Sequence, residues 1–150
     1  MIAVTQVVDQ ANVCISGQPN SKREIEKGLM VFLGVAKSDT EDDVAKLVTK
    51  LLKLRVFPDS KEKMNLDIQS VNGEILLIPQ FTLLGSLKGN NRPDFFNAAG
   101  KELASTLYDL FADKLTKAGL SVKTGFFGEH MKIASTLNGP VTIVLESDKI

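Results

Sequence analysis

Two polar interruptions in apolar surroundings are the places where this chain could do chemistry. One is Gln80-Phe81-Thr82, at the end of "GEILLIPQF"; the other is Asn138-Gly139-Pro140-Val141-Thr142, between "HMKIAST" and "VTIVLES". Thr82 would be a nucleophile only with a base within hydrogen-bond reach, and its sequence neighbours supply none. In the second stretch, Gly139 permits close backbone approach and Pro140 fixes the direction of the chain. An ordinary Asn-Gly-Pro turn between two strands is the alternative reading, and either isomer of the Gly139-Pro140 bond is compatible with it.

Other common chemistries lack their residues. With one His and one Cys, a zinc site would need closely spaced carboxylates, and no such cluster is visible in the sequence. GxxxxGK[ST], GxGxxG after a strand and GxSxG are all missing, which argues against ATP, nicotinamide dinucleotides and the common serine-hydrolase apparatus. His130, beside Glu129 at a turn, reads as a surface residue. Cys14, in "ANVCIS", reads as a small core hydrophobe, and a single cysteine allows no internal disulfide. Neither a metal nor an organic cofactor is expected.

The elements that must position these residues follow from periodicity. "IAVTQVV" and "NVCIS" read as short strands separated by "DQA"; the polar stretch "GQPNSKREIEK" then leads to a further strand, "GLMVFLGV". In "SDTEDDVAKLVTKLLKL" the spacing of Ser38 and Glu41 predicts a capping box. Val44, Leu47, Val48, Leu51 and Leu52 there share one helix face. "GEILLIPQF" is a continuous apolar run, as in a strand buried on both faces, and Pro79 marks a strand end or edge. A second helix is predicted over roughly 93–118 from the spacing of Leu103, Leu107, Leu110, Phe111 and Leu115, with Gly119 as its stop. "LSVKTGFF", "HMKIAST" and "VTIVLES" complete the strands. The sum is one mixed α/β domain over 1–150, a curved barrel-like β-sheet with two amphipathic helices packed on it.

Charge narrows the partners. Eighteen basic residues balance eighteen acidic ones, so contact with a polyanion must come from a local patch; the loop "GSLKGNNRPDF" offers Lys88 and Arg92. "MIAVTQVVDQ" has no basic leader, and nowhere do eighteen apolar residues run together, so a soluble, cytoplasmic chain away from membranes is expected.

These residues also carry a resemblance. "GEILLIPQFTL" and "NGPVT" are similar to the two signature motifs of the D-aminoacyl-tRNA deacylase family, also called D-Tyr-tRNA deacylase. "GLMVFLGV", "LRVF" with "KMNL", "KGNNRPDF" and "TGFFGEHM" fall in the expected order over nearly the whole chain. The resemblance implies a hydrolase acting on ester bonds. It would cleave the bond between a D-amino acid, or mischarged glycine, and the 3′-terminal adenosine of tRNA, without metal or cofactor. It implies a homodimer in which Gly139 and Pro140 of one subunit enter the active site of the other and reject an L-side chain by main-chain contact. Gln80, Phe81 and Thr82 would form the catalytic floor, with main-chain N–H groups near Phe81 and Thr82 holding the ester carbonyl, water attacking and the ribose 2′-hydroxyl assisting. Lys88 and Arg92 would meet phosphates. Phe95, Phe96, Phe127 and Met131 would surround the adenine, and Asn138, Val141 and Thr142 would complete the second motif.

Three positions depart from the family pattern: Pro79 where Ser is usual, Val7 where Arg is usual, and Leu137 where Asn is usual. "IPQ", "GSLKGNN" and "LNGP" look closer to an animal paralogue of relaxed chirality, which removes L-alanine mischarged on threonine tRNA. A module that binds tRNA ends without turnover is a further alternative.

Overall fold

A computed structural model describes residues 1–89 and 91–150; Asn90, in the basic loop, lies outside the described residues. The longest ladder is formed by β1 (Ile2–Ile15), to which the rest of the sheet is attached. Along one edge β1 pairs antiparallel with β8 (Met131–Glu146) over its whole length. Along the other it pairs with β3 (Gly28–Gly34) through Ile2 to Val8 and with β2 (Gln18–Ile25) through Ala11 to Ile15. β6 (Glu74–Pro79) lies parallel to β3, and β7 (Val122–Thr124) lies parallel to β6. A hairpin of β4 (Phe57–Pro58) and β5 (Met64–Leu66) stands apart.

The sheet curls until β2 faces β7, and a side chain spans the remaining gap. Nη1 of Arg23 donates to Thr124 O at 2.7 Å, Thr124 Oγ1 at 2.8 Å and Gly125 O at 3.2 Å, while the guanidinium lies 4.0 Å from the Phe126 ring centroid. The inside of this near-barrel holds Val8, Ala11, Val13, Ile25, Met30, Leu76 and Ile78. The larger core lies outside it, under α1 (Glu41–Leu52) and α2 (Lys101–Lys117). β3 and β6 serve both cores, which explains the apolar run in each. None of the described helices is long and apolar enough to cross a membrane.

Both helices are present with altered ends. The cap of α1 is Thr40, not Ser38: Oδ2 of Asp43 accepts the Thr40 N–H at 2.9 Å and the Thr40 hydroxyl at 3.0 Å. Asp39 is committed elsewhere, accepting the α-amino group of Met1 at 2.6 Å and the Ala36 N–H at 2.6 Å. α2 begins at Lys101, because 94–99 is drawn into extended pairing: Ser86 and Asp94 exchange two bonds, and the Ala99 N–H reaches Val35 O at 2.9 Å. Its buried face is Leu107, Tyr108, Phe111 and Leu115; Leu103 is exposed, and Gly119 follows the helix with φ +91°.

Three strand expectations need correction. "IAVTQVV" and "NVCIS" are a single strand, and so are "HMKIAST" and "VTIVLES". The polar stretch after Gly17 forms β2, an edge strand that buries only Ile25. Cys14 is half-buried, not a core residue, since it alternates with the buried Val13 along β1.

Candidate active site

β3 and β6 run parallel and end side by side, with Leu33 opposite Pro79. There the Gln80 N–H donates to Leu33 O at 2.8 Å, and the chain turns into a single 3-10 turn, Phe81–Leu84. The turn sits so close to β3 that a Cβ on Gly34 would meet Leu84 Cδ2 at 2.6 Å and Gln80 O at 3.0 Å; only glycine leaves that space. Gln80 supplies no side-chain cap, so the leading N–H groups, of Phe81 and Thr82, lack the partner that a cap gives. Gln80 instead directs its amide Nε2 to Thr82 Oγ1.

This turn heads a cavity of about 540 Å³, bordered below by Leu33, Val35 and Pro79 and at the sides by Ala104 and Tyr108 of α2 and by the loop Phe127–Met131. Its size lies within the usual range of small-molecule sites. Tyr108 donates its hydroxyl to Leu77 O at 2.7 Å, and Gly125 N–H reaches the same carbonyl at 2.6 Å, so one acceptor pins both walls. Burial pushes the Tyr108 phenol well above the usual tyrosine range, which keeps it a donor. Phe127 packs on Tyr108 with ring centroids 5.9 Å apart. Met131 directs its Sδ to the Phe126 N–H at 3.2 Å and packs against the inner core, while also facing the cavity.

Of the residues singled out from the sequence, Gln80, Phe81, Thr82, Phe127 and Met131 are brought together here. Phe95 does not border the cavity but backs Phe81 edge-on, with centroids 5.0 Å apart. Lys88, Arg92 and Phe96 are exposed and outside it. His130 and Glu129 are exposed and stand on the rim. Tyr108, Arg23 and Ala104 were missed in the sequence. Tyr108 had a visible signal, since it sits on the buried stripe of α2; Arg23 had none, because its acceptors lie a hundred residues away.

The second motif lies elsewhere on the chain. Gln6 pairs with Thr142 and Val8 with Leu137, so Asn138 to Val141 bulge out opposite Val7 alone. The Gly139-Pro140 bond is cis, and Gly139 has φ +118°, a conformation that glycine tolerates. Asn138 Nδ2 donates to Asp9 Oδ1 at 2.7 Å, and Gln6 Nε2 to Thr142 Oγ1 at 3.3 Å. Asn138 and Val141 border a separate groove of about 190 Å³ shared with Val7, Asp9 and the β4–β5 hairpin. Val7 itself is buried.

Fold and site together define a class: a near-barrel with a largely apolar pocket headed by a 3-10 turn that has no side-chain cap. The family model described as D-Tyr-tRNA(Tyr) deacylase matches residues 4–146. D-aminoacyl-tRNA deacylases of Thermosipho melanesiensis (45% identical, covering 100% of this chain and 99% of the relative) and Natranaerobius thermophilus (46%, 99% and 99%) are similar throughout. The chain belongs to the D-Tyr-tRNA(Tyr) deacylase family. Among solved structures, one titled c-Myc DNA Unwinding Element Binding Protein superposes with a TM-score of 0.89 at 38% identity, covering 97% of this chain and 98% of that one. A probable eukaryotic D-amino acid tRNA deacylase shares the fold, with a TM-score of 0.85 at 18% identity and coverage of 96% and 97%.

Proposed function

We propose that this protein is a D-aminoacyl-tRNA deacylase whose pocket works through main chain. The carrying observation is the uncapped N–H pair of Phe81 and Thr82 at the head of the cavity. Family membership and the names of its curated relatives support the same reaction. The ester carbonyl oxygen accepts from this pair, and water adds to the carbonyl carbon. As the tetrahedral intermediate collapses, the bond to the ribose 3′-oxygen breaks and that oxygen takes the water's proton, relayed by the neighbouring 2′-hydroxyl. Free amino acid and tRNA leave. Thr82 and Gln80 position the turn, and no side-chain nucleophile is needed.

Chirality in this reading is set by a second subunit. Gly139 lies six residues along β8 from Ile133, which borders the cavity, a separation of up to about 20 Å, and Asn138 and Val141 border a different groove. That separation supports a wall lent to a partner's site. The exposed Ile133, Leu137 and Val144 on β8 favour such pairing as a homodimer. Main-chain contact then excludes an L-side chain by clash, while D-amino acids and glycine enter. Lys88 and Arg92 remain proposed phosphate contacts.

The relaxed-chirality reading has one observation in its favour: Val7 places an apolar side chain, with no donor, opposite the bulge. Time-resolved deacylation of D-Tyr-tRNA, Gly-tRNA and L-Ala-tRNA(Thr), side by side, separates the readings. Loss of the D and glycyl esters alone is expected. Equal loss of L-Ala would move the assignment to the relaxed paralogue, and no turnover of any ester would leave a binding module.

A further inference from the structure

Next to the pocket stands an aromatic ring that the mechanism does not use. Phe96 is 77% exposed, more than any other large apolar side chain among the described residues. The Lys37 ammonium lies 3.3 Å from its ring centroid. Both backbones are held: the Lys37 N–H donates to Asn97 O at 3.0 Å, and the Phe96 N–H to Asp94 Oδ1 at 3.2 Å. The backbone that carries the ring is therefore held, while the ring itself is packed into no core. It is also continuous with the site. Phe81 borders the cavity and packs on Phe95, the residue before Phe96; Val35, just past the end of β3 and two residues before Lys37, borders the cavity and accepts the Ala99 N–H. Lys37, Lys88 and Arg92 take part in none of the ion pairs among the described residues.

We propose that Phe96 and Lys37 form a platform for single-stranded RNA, stacking an unpaired base that precedes the terminal adenosine and neutralising its phosphate. This rests on the deacylase reading and extends it to the nucleotide outside the pocket. Stacking on an exposed ring suits a single-stranded end because every base has a π-face, and a cation beside the ring adds an electrostatic hold on the backbone. An isolated exposed Phe would call for no such account. The lysine on the ring, the pinned backbones and the contact chain to the pocket supply it.

Two esters separate the platform from the pocket: D-Tyr-tRNA, and the D-tyrosyl ester of adenosine alone, which has no preceding nucleotide. With Phe96→Ala, KM for D-Tyr-tRNA should rise about 5- to 50-fold, with kcat and hydrolysis of the adenosine ester unchanged. Phe96→Trp should retain the wild-type KM, whereas Phe96→Leu, apolar but without a π-face, should behave as Ala. Lys37→Ala should raise KM for the tRNA ester and lower its log–log salt dependence by about one unit. Equal losses on both esters would make the ring a support of the cavity and overturn the platform, and so would an unchanged KM for the tRNA ester. Should the wild-type protein hydrolyse neither ester, the deacylase reading fails. Fluorescence anisotropy with an unacylated single-stranded CCA-ended oligonucleotide then decides the platform by itself, since Phe96→Ala must weaken binding for it to stand.

Discussion

Thr82 turns its hydroxyl toward the amide of Gln80, two residues before it, and not toward a base. An oxygen so placed steadies a turn. If main-chain N–H groups do the work, Thr82→Ala should keep deacylation within about tenfold of wild type, whereas a nucleophile's removal would cost several orders of magnitude. Gly139→Ala should instead cut the rate at least about a hundredfold, since its Cβ would meet Val141 Cγ2 at 2.7 Å and Val141 N at 2.8 Å and displace the wall. Single-turnover rates on D-Tyr-tRNA would decide both. Tyr108 offers a milder case. Because Leu77 O keeps its bond from Gly125, Tyr108→Phe should cost only about 1 kcal/mol in urea unfolding.

At the level of elements, Glu74 ties three segments at the start of β6. Its carboxylate accepts the Glu26 N–H at 2.8 Å and the Ser121 hydroxyl at 2.7 Å, and those bonds, the Glu26 one foremost, hold it below the usual carboxylate range. A carboxyl depressed on folding stabilises the native state above its unfolded pKa, and that contribution fades as pH falls through the folded value. Glu74→Gln should therefore lower Tm at neutral pH and narrow its gap to wild type as pH drops below the ordinary carboxylate range; a gap constant with pH would refute the linkage. The sequence made elements legible where one face or core dominates: Val44, Leu47, Val48 and Leu51 mark α1, and the apolar run at 75–78 marks β6. It was opaque where stability comes from distant partners. β2 is a polar edge held by the β1 ladder and by Arg23, so no alternation announces it, and Gly139-Pro140 reads as a break because the bulge is tolerated only by pairing with β1 on both sides. The pocket floor at 80–82 was readable as polar residues ending an apolar run, whereas the separation of the second motif from that pocket depended on the register of β8.

For the whole molecule, the proposed cross-subunit wall has a genetic form. Thr82→Arg fills the pocket of its own chain, and Gly139→Ala spoils the wall it lends. Each homodimer should be inactive, while refolding the two together should restore about a quarter of wild-type activity, because half the dimers are mixed and each has one sound site. No recovery would mean that each chain serves itself. A different consequence follows from β1, which is made before the other described strands, whereas its full-length partner β8 is made after them. During synthesis the hairpins with β2 and β3 can close early, but the other edge of β1 stays bare until residue 146 has been added, on the order of ten seconds at ordinary elongation rates. Throughout that interval the nascent chain offers an open ladder to any neighbour. Its yield in the cell should then depend on how fast the ribosome finishes the message and on chaperones that guard an unfinished edge.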